Sequence, residues 1–123
     1  MEFANHVGSP LDEGLYLVHN MLVGAGIREK TRVIASGRLI SGFSVFRALS
    51  LGADTINSAR GFMFSLGCIQ SLKCHTNTCP TGIATQDPKL IDGLDVTDKR
   101  VRAFNFQRAT VNAVCDLAAA AGY

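Results

Sequence analysis

Two short β-branched segments with a helical segment between them constrain the fold of this sequence most. Residues 31–35 (TRVIA) and 54–59 (DTINSA) are bounded by turn residues and predict strands. Residues 41–52 between them predict a helix, which Ser41 or Gly42 begins and Gly52 ends. A strand, a helix and a strand within about 30 residues form a βαβ unit with parallel strands and a right-handed crossover. The sequence therefore predicts an α/β fold.

Helical patterns precede and follow this unit. Ser9 caps a first predicted helix, with Pro10 in its first turn, and Gly24 and Gly26 end it. The apolar residues of this helix share one face, namely Leu11, Leu15, Val18 and Leu22. Another helix is expected from Arg60 to Leu72, followed by an ordered loop over residues 73–95.

A last helix is predicted from Thr97 or Asp98, as its cap, to about residue 121. One of its faces carries apolar residues at helical spacing, namely Val101, Phe104, Val111 and Cys115. The basic residues Lys99, Arg100, Arg102 and Arg108 are expected on a solvated face of the same helix. Its apolar face predicts packing in the core, with Cys115 as a small apolar residue.

Two parallel strands do not make a finished sheet. Parallel sheets are covered on both faces, and two strands leave two unpaired edges that invite pairing. We therefore expect a partner, either the remaining part of a larger sheet or another copy of the chain. An oligomer is one way to supply it.

Composition excludes several classes of partner. The 123 residues are 47% apolar and 18% charged, with a formal net charge of +2, which gives no electrostatic footprint for nucleic acid or an anionic membrane. No apolar run approaches the roughly 18 residues that a spanning helix needs. The N-terminal stretch MEFANHVGSP lacks the basic and apolar regions of a secretory signal, which predicts a cytoplasmic protein with reduced thiols.

Three cysteines recur within twelve residues, at Cys68, Cys74 and Cys79, and Pro80 follows the third. Structural zinc sites usually bring cysteines in Cys-x2–4-Cys pairs, and here both gaps miss the usual x2 spacing, although the second gap is x4. A loop that presents several sulfurs to one iron core suits three cysteines at this spacing. Zinc binding and inert packing of small apolar side chains remain open alternatives. His75 is more often a hydrogen-bond partner than a fourth ligand at such a position.

Glycines follow both predicted strands. After the first, Ser36 and Gly37 let the backbone approach a ligand closely, and after the second, residues 59–61 lead into a helix. Backbone N–H groups at helix starts form anion sites, and in parallel α/β barrels the loops after the last two strands bind phosphate in this way. Arg60 would add a charge-assisted contact. The alternative is that these glycines only make tight turns.

The sequence also resembles a known family. Residues 36–42 (SGRLISG) and 48–54 (ALSLGAD) resemble the phosphate-binding end of FMN-dependent (β/α)8 barrels. The stretch from Gly67-Cys68 through residues 74–88 (CHTNTCPTGIATQDP) resembles the FMN-binding domain of glutamate synthase and its relatives. The resemblance runs from about Asn5 to the final helix. It matches the seventh and eighth barrel strands, with the helix before them and the helix after them.

The resemblance implies two cofactor sites. It makes Cys68, Cys74 and Cys79 the ligands of a 3Fe–4S cluster that relays electrons to FMN, which reduces 2-iminoglutarate, formed from 2-oxoglutarate and ammonia, to L-glutamate. It assigns the FMN phosphate to Ser36, Gly37, Arg38, Ala59 and Arg60, mostly through backbone N–H groups. The best-known members carry Asp-Gly-Gly at residues 36–38 and Gly-Thr at residues 59–60. An electron-donor protein or subunit is implied as a partner.

Residues 1–123 are thus expected to form the C-terminal portion of a TIM barrel, about two strands with flanking helices. The residues that face the flavin ring and the substrate are not matched, so we expect a fragment, a split-gene product or a trimmed chain. One hypothesis is an oxidoreductase segment that carries the cluster ligands and part of the FMN phosphate site. The alternative is a non-catalytic assembly module that pairs with another copy or a separate chain to complete a barrel. A zinc-stapled domain is a third hypothesis.

Overall fold

The computed structural model describes residues 7–123, which contain five helices and two strands. Residues 1–6 lie outside the described residues. They include the start of the family resemblance and part of the N-terminal stretch that lacks the features of a secretory signal. In chain order the elements are α1 (Leu11–Gly24), β1 (Ile34–Ser36), α2 (Gly42–Ser50), β2 (Thr55–Asn57), α3 (Ala59–Ser65), α4 (Pro88–Ile91) and α5 (Val96–Ala120). A single 3-10 turn, Arg28–Lys30, separates α1 from β1. In the part of the chain described, no helix is long and apolar enough to cross a bilayer.

The two strands pair in parallel, as predicted, with Ile34 beside Thr55 and Ser36 beside Asn57. The middle pair, Ala35 and Ile56, points to the opposite face of the sheet from these residues, because side chains alternate along a strand. Ala35 is buried and Ile56 is half-buried against the helices, whereas the other face is exposed. The architecture is therefore α/β with one covered sheet face, which is compatible with part of a barrel.

A small apolar core lies between α1, the sheet and α2. Its buried members are Leu15, Ala35, Leu39, Ala48 and Ala53. Helix α5 packs across α2 and α3 on the outside of this core. Gly42 permits the close approach of α2 and α5, because a Cβ there would lie 2.6 Å from the Cβ of Ala113. Small residues therefore set the spacing of these two helices.

An arginine joins the turn before β1 to the turn before β2. The Arg28 guanidinium donates to the carbonyl of Gly52 at 2.9 Å and to an Asp54 carboxylate oxygen at 2.8 Å. Its Nε donates to Nδ1 of His19 on α1 at 3.2 Å. The same Asp54 oxygen accepts from the Val33 N–H at 2.7 Å. Since Arg28 has only 15% of its side chain exposed, this contact set fixes the N-terminal ends of both strands.

The strand boundaries differ from the prediction. Strand β1 covers residues 34–36 rather than 31–35, because the Val33 N–H bonds the Asp54 side chain and its carbonyl accepts from the Asp54 backbone. Strand β2 ends at Asn57 rather than at residue 59, because Ser58 is already the N-cap of α3. The predicted cap of α1 is also wrong: the N-cap is Pro10, and no side chain caps that helix.

The helices after β2 are rearranged relative to the prediction. Helix α3 ends at Ser65 rather than near residue 72, because Gly67, Gln70 and Leu72 all adopt positive φ angles that interrupt a helix. The short helix α4 lies inside the predicted loop, begun by Asp87, whose carboxylate accepts from the Lys89 N–H. Helix α5 begins two or three residues earlier than predicted, because its N-cap is Asp95, which accepts from the backbone N–H groups of residues 97 and 98.

The face of α5 that the sequence predicts to pack in the core is exposed. Val101, Phe104 and Val111 are 50%, 61% and 47% exposed, and Cys115 is also exposed, so its predicted core packing is wrong. The packed face is a different one, which carries the half-buried residues Ala103, Phe106, Thr110, Ala113, Val114 and Leu117. Helix α1 behaves similarly, since Leu15 is buried but Val18 is 45% exposed. Both helices thus present apolar surface that the described residues do not cover.

Candidate cofactor site

The two predicted phosphate loops leave the sheet side by side. Because β1 and β2 are parallel and Ser36 pairs with Asn57, residues 36–38 and residues 59–60 start from the same edge. The Ser58 hydroxyl donates to the Leu39 carbonyl and so joins the two loops directly. The structure therefore brings all five predicted phosphate residues to one end of the sheet.

Backbone conformation at these loops explains their glycines. Gly37 has a φ of 150° and Arg38 a φ of 56°, so the chain turns sharply as it leaves β1. At the start of α3, a Cβ on Gly61 would lie 2.8 Å from Cζ of Phe106 and 2.9 Å from the Ser58 hydroxyl. A larger residue at position 61 would therefore have to displace the side chains of Phe106 and Ser58.

The two helices that follow the loops begin differently. Helix α2 is capped by a reciprocal pair, in which Ser41 and Ser44 bond each other's backbone N–H groups. Helix α3 has no side-chain cap, since the hydroxyl of its N-cap Ser58 bonds Leu39 instead. The first N–H groups of α3 are therefore the donors left for an anion at this edge.

Two arginines belong to these loops, Arg38 after β1 and Arg60 in the first turn of α3. Arg38 and Arg60 are both exposed, and within residues 7–123 neither forms an ion pair. A guanidinium offers paired donors that match phosphate oxygens. The chemistry of this edge therefore suits a phosphate group, through backbone N–H groups supported by two arginines.

The cysteine segment, residues 67–94, follows α3 and includes α4. Its three thiols are free, with Cys68 half-buried, Cys74 exposed and Cys79 buried. Over the described range 7–123, no three side chains among His, Cys, Asp and Glu lie close enough together to hold one metal ion. The donor set has the chemistry that an iron–sulfur cluster uses, but this structure does not gather the three sulfurs at one point.

Cys79 has an environment that stabilises its thiolate. The Thr81 hydroxyl lies 3.4 Å from its sulfur, and the backbone N–H groups of Ala84, Thr81 and Ile83 also face it. These donors, with the Thr81 hydroxyl first, lower the pKa of the Cys79 thiol from 9.0 to about 7, although burial opposes them. These donors therefore favour the thiolate of Cys79, which is the form of cysteine that binds metals.

Cys74 lies at the rim of a small depression of about 370 Å³, which His75, Asn77 and Thr85 also line. His75 is exposed and makes no hydrogen bond among the described residues, so the structure supports neither of the roles considered for it. Sequence reasoning missed Asn77, Thr81 and Thr85, which organise this region. A signal existed for Asn77, because asparagine adopts the left-handed conformation more readily than most residues, and here its φ is 60°.

The fold and these loops define an α/β protein whose parallel strands end at a candidate anion site and lead into a cysteine-rich segment. The chain belongs to the glutamate synthase family, because the family model described as "Conserved region in glutamate synthase" matches residues 1–123.

Curated relatives agree with this membership. The chain is 46% identical over 121 residues to the glutamate synthase large subunit-like protein YerD of Bacillus subtilis, which covers 98% of this chain and 23% of the relative. It is 36% identical over 120 residues to the archaeal glutamate synthase [NADPH] of Methanocaldococcus jannaschii, covering 98% of this chain and 24% of that protein. It is 42% identical over 85 residues to the ferredoxin-dependent glutamate synthase of Cyanidium caldarium. The chain thus spans about a quarter of the length of the first two relatives.

Proposed function

We propose that this chain is the part of a glutamate synthase-type flavin and iron–sulfur oxidoreductase that holds the FMN phosphate and the cluster ligands. The larger reaction would form L-glutamate from 2-oxoglutarate and ammonia or glutamine nitrogen. Cys68, Cys74 and Cys79 would hold a 3Fe–4S cluster. Ser36, Gly37, Arg38, Ala59 and Arg60 would hold the FMN phosphate. The family membership supports this assignment, and the specific residues are our proposal.

One observation carries the flavin part of the proposal. Two parallel strands deliver their exit loops to the same edge, and the helix that starts there lacks a side-chain cap. An anion at this position would bond the first N–H groups of α3 and meet the guanidinium groups of Arg38 and Arg60. These groups bind and orient the phosphate end of a nucleotide.

When bound, a cluster supplies one-electron transfer and a flavin supplies hydride transfer. The residues of this chain would hold both groups. Cys79 offers a stabilised thiolate, and Cys74 is free and exposed. Because the three sulfurs are not gathered in this structure, we derive no reaction step through the cluster.

Metal analysis tests the cluster. The full chain, purified or reconstituted without air, is expected to be brown, with iron and acid-labile sulfide in roughly a 3:4 ratio. A colourless anaerobic preparation without iron would contradict cluster binding by this chain. About one zinc per chain in place of iron would instead support the zinc-stapled hypothesis.

Comparing FMN with riboflavin tests the phosphate site. We expect FMN to bind more tightly than riboflavin, which lacks the phosphate, and Arg60→Ala to weaken FMN binding about tenfold with little effect on riboflavin. Flavin fluorescence quenching measures both. Arg102→Ala, an exposed arginine on α5, is the control. Equal affinities for FMN and riboflavin would remove the phosphate site from the proposal.

An assembly module is the second candidate function, and the uncovered surfaces favour it. A groove of about 810 Å³ is lined largely by apolar side chains of α2, α3 and α5, among them Leu49, Phe62 and Val114. The exposed sheet face adds Ile34, which is 60% exposed. Large apolar surfaces of this kind mark interaction sites. A compact monomer at micromolar concentration in sedimentation would contradict this candidate. The two functions are compatible, because a module that completes a barrel can also hold a cluster.

A further inference from the structure

One buried hydroxyl closes the cysteine segment on itself. Thr85 is only 8% exposed, and its hydroxyl donates to the Asn77 carbonyl at 2.7 Å. The same oxygen accepts from the Asp87 N–H at 3.0 Å. Asn77 Oδ1 accepts from the Gln86 N–H at 2.6 Å and lies 3.2 Å from Thr85 Oγ1. We call these four contacts the Asn77–Thr85 clasp; its principal contact joins residues eight positions apart.

The clasp closes a ring of chain that encloses one predicted ligand and adjoins another. Cys79 lies inside the ring and is only 6% exposed. The Gly82 N–H donates to its carbonyl at 3.2 Å, and the Thr81 hydroxyl lies beside its sulfur. Cys74 comes three residues before Asn77 and lines the same depression as both clasp residues.

Both sides of the ring are strained or crowded, so they need support. Asn77 holds a left-handed φ of 60°, a conformation that persists only where surrounding contacts specify it. On the other side, Gly82 lies against α4 so closely that a Cβ there would be 2.5 Å from the Leu90 carbonyl oxygen. Within residues 67–94, only Cys79, Gly82 and Thr85 are buried, so apolar packing supplies little of this support. Hydrogen bonds therefore provide most of it, and those of the clasp are the ones that join the two ends of the ring.

From this geometry we infer that Asn77 and Thr85 are positioning residues: the clasp keeps Cys79 enclosed and fixes its place relative to Cys74. The relevance of that placement to a cluster rests on the proposed function, whereas the effect of the clasp on the positions of the two thiols does not depend on that function. The three sulfurs are not gathered in this structure, so a metal would have to reorder part of the segment; contacts behind Cys79 limit how much chain must be ordered and so reduce that entropic cost.

Thiol shielding in the iron-free chain tests the clasp directly. Thr85→Val removes the hydroxyl with little change of shape, and Thr85→Ser keeps it. We expect iodoacetamide to alkylate Cys79 about tenfold faster in Thr85→Val than in the wild type, and Thr85→Ser to stay near the wild-type rate. Tandem mass spectrometry assigns the alkylation to Cys79, and Cys115, which is exposed on α5, is the internal reference. An unchanged Cys79 rate in Thr85→Val would overturn the inference.

A second pair of variants separates the hydrogen bond from backbone strain. Asn77→Gly accepts the positive φ without cost but removes the side-chain oxygen, whereas Asn77→Asp keeps an acceptor in that position. We expect Asn77→Gly to expose Cys79 and Asn77→Asp to protect it. Protection in both variants would show that backbone conformation alone orders the ring, and would overturn the role of the Asn77 side chain.

The reconstituted chain separates failure of the clasp from failure of the proposed function. If the wild-type chain takes up no iron, the cluster proposal falls, and the alkylation rates still decide the clasp. If the wild type takes up iron, we expect Thr85→Val to retain several-fold less iron and to show an altered electron paramagnetic resonance line shape. Thr85→Ser is expected to restore both the iron content and the line shape. Equal iron and an identical spectrum in Thr85→Val would overturn the positioning role toward the cluster.

Discussion

The strand–helix unit, residues 11–66, and the cysteine segment, residues 67–94, are held together by different forces. The first buries apolar residues from α1, the sheet and α2 around Ala35 and Ala48. The second has three buried residues, and its shape depends on side-chain hydrogen bonds to the backbone, such as those of Thr85 and Asn77. Buried apolar area specifies a fold broadly, whereas a few hydrogen bonds specify a local shape. The two regions should therefore respond differently to substitution.

The largest expected effect is on iron binding and belongs to the cysteine segment. Cys74→Ala should abolish iron retention after anaerobic reconstitution, because it removes one of three proposed ligands while leaving the core untouched. Cys115→Ala should retain iron and have little effect on stability, since Cys115 is exposed on α5. Iron analysis of both variants is the measurement. Equal loss in the two would show that the ligands are misassigned.

The largest effect on stability is expected in the strand–helix unit. Leu15 is 5% exposed in the core, so Leu15→Ala should lower the free energy of unfolding by about 3 kcal/mol through lost burial and a cavity. Leu17 lies on the same helix but is 56% exposed, and Leu17→Ala should change that energy by no more than about 0.5 kcal/mol. Urea unfolding followed by circular dichroism compares them. Similar losses would mean that the outer face of α1 is covered in solution.

A smaller loss is expected within the cysteine segment, where Gly82 packs against α4 and Leu94. Gly82 has a φ of 74°, and a Cβ there meets backbone atoms of Leu90 and Leu94, so Gly82→Ala should cost about 2 kcal/mol. Gly26 has a similar φ of 67° with open space around it, and Gly26→Ala should cost about 1 kcal/mol from conformation alone. Urea unfolding measures both variants. If Gly82→Ala costs no more than Gly26→Ala, the contact with α4 is not tight.

The smallest effect depends on pH and lies in the strand–helix unit. The Val33 N–H, and then the Arg28 guanidinium, hold the pKa of Asp54 below its usual 3.8. A lowered pKa in the folded state stabilises the protein above the unfolded-state value, and this contribution is lost as pH falls through the folded-state pKa. Thermal melts between pH 6 and about pH 3 should therefore show a steeper acid loss in the wild type than in Asp54→Asn. Parallel profiles would contradict this role.

The sequence predicted the span of α2 and the parallel pairing of the strands, because both depend on residues close together in the chain. The span of α2 came within two residues of the prediction, because Ser41 and Gly52 supply start and stop signals that act locally. The parallel pairing of β1 with β2 is confirmed, since a helix between two short strands leaves few other arrangements.

The wrong predictions concern the bounds of β1 and the packed face of α5, which depend on contacts between residues far apart in sequence. Asp54 takes the hydrogen bonds that would have extended β1 toward Thr31, and no local pattern reveals that competition. On α5, two faces carry apolar residues, and the sequence alone does not say which one meets α2; the predicted face, including Phe104, proved exposed. The structure places the five predicted phosphate residues at one edge of the sheet and does not gather the three cysteine sulfurs, and the ligand roles of both sets stay predictions.

The Ser58 hydroxyl has a consequence for ligand binding at the strand ends. It ties the backbone at Leu39 to the residue before α3, so we expect the two exit loops to move together. An anion that immobilised either loop would immobilise both, so the entropic penalty of ordering them would be incurred once. Ser58→Ala should then uncouple the loops without removing any donor to the anion. When phosphate is added, hydrogen–deuterium exchange should slow in both loops of the wild type but in a single loop of the variant.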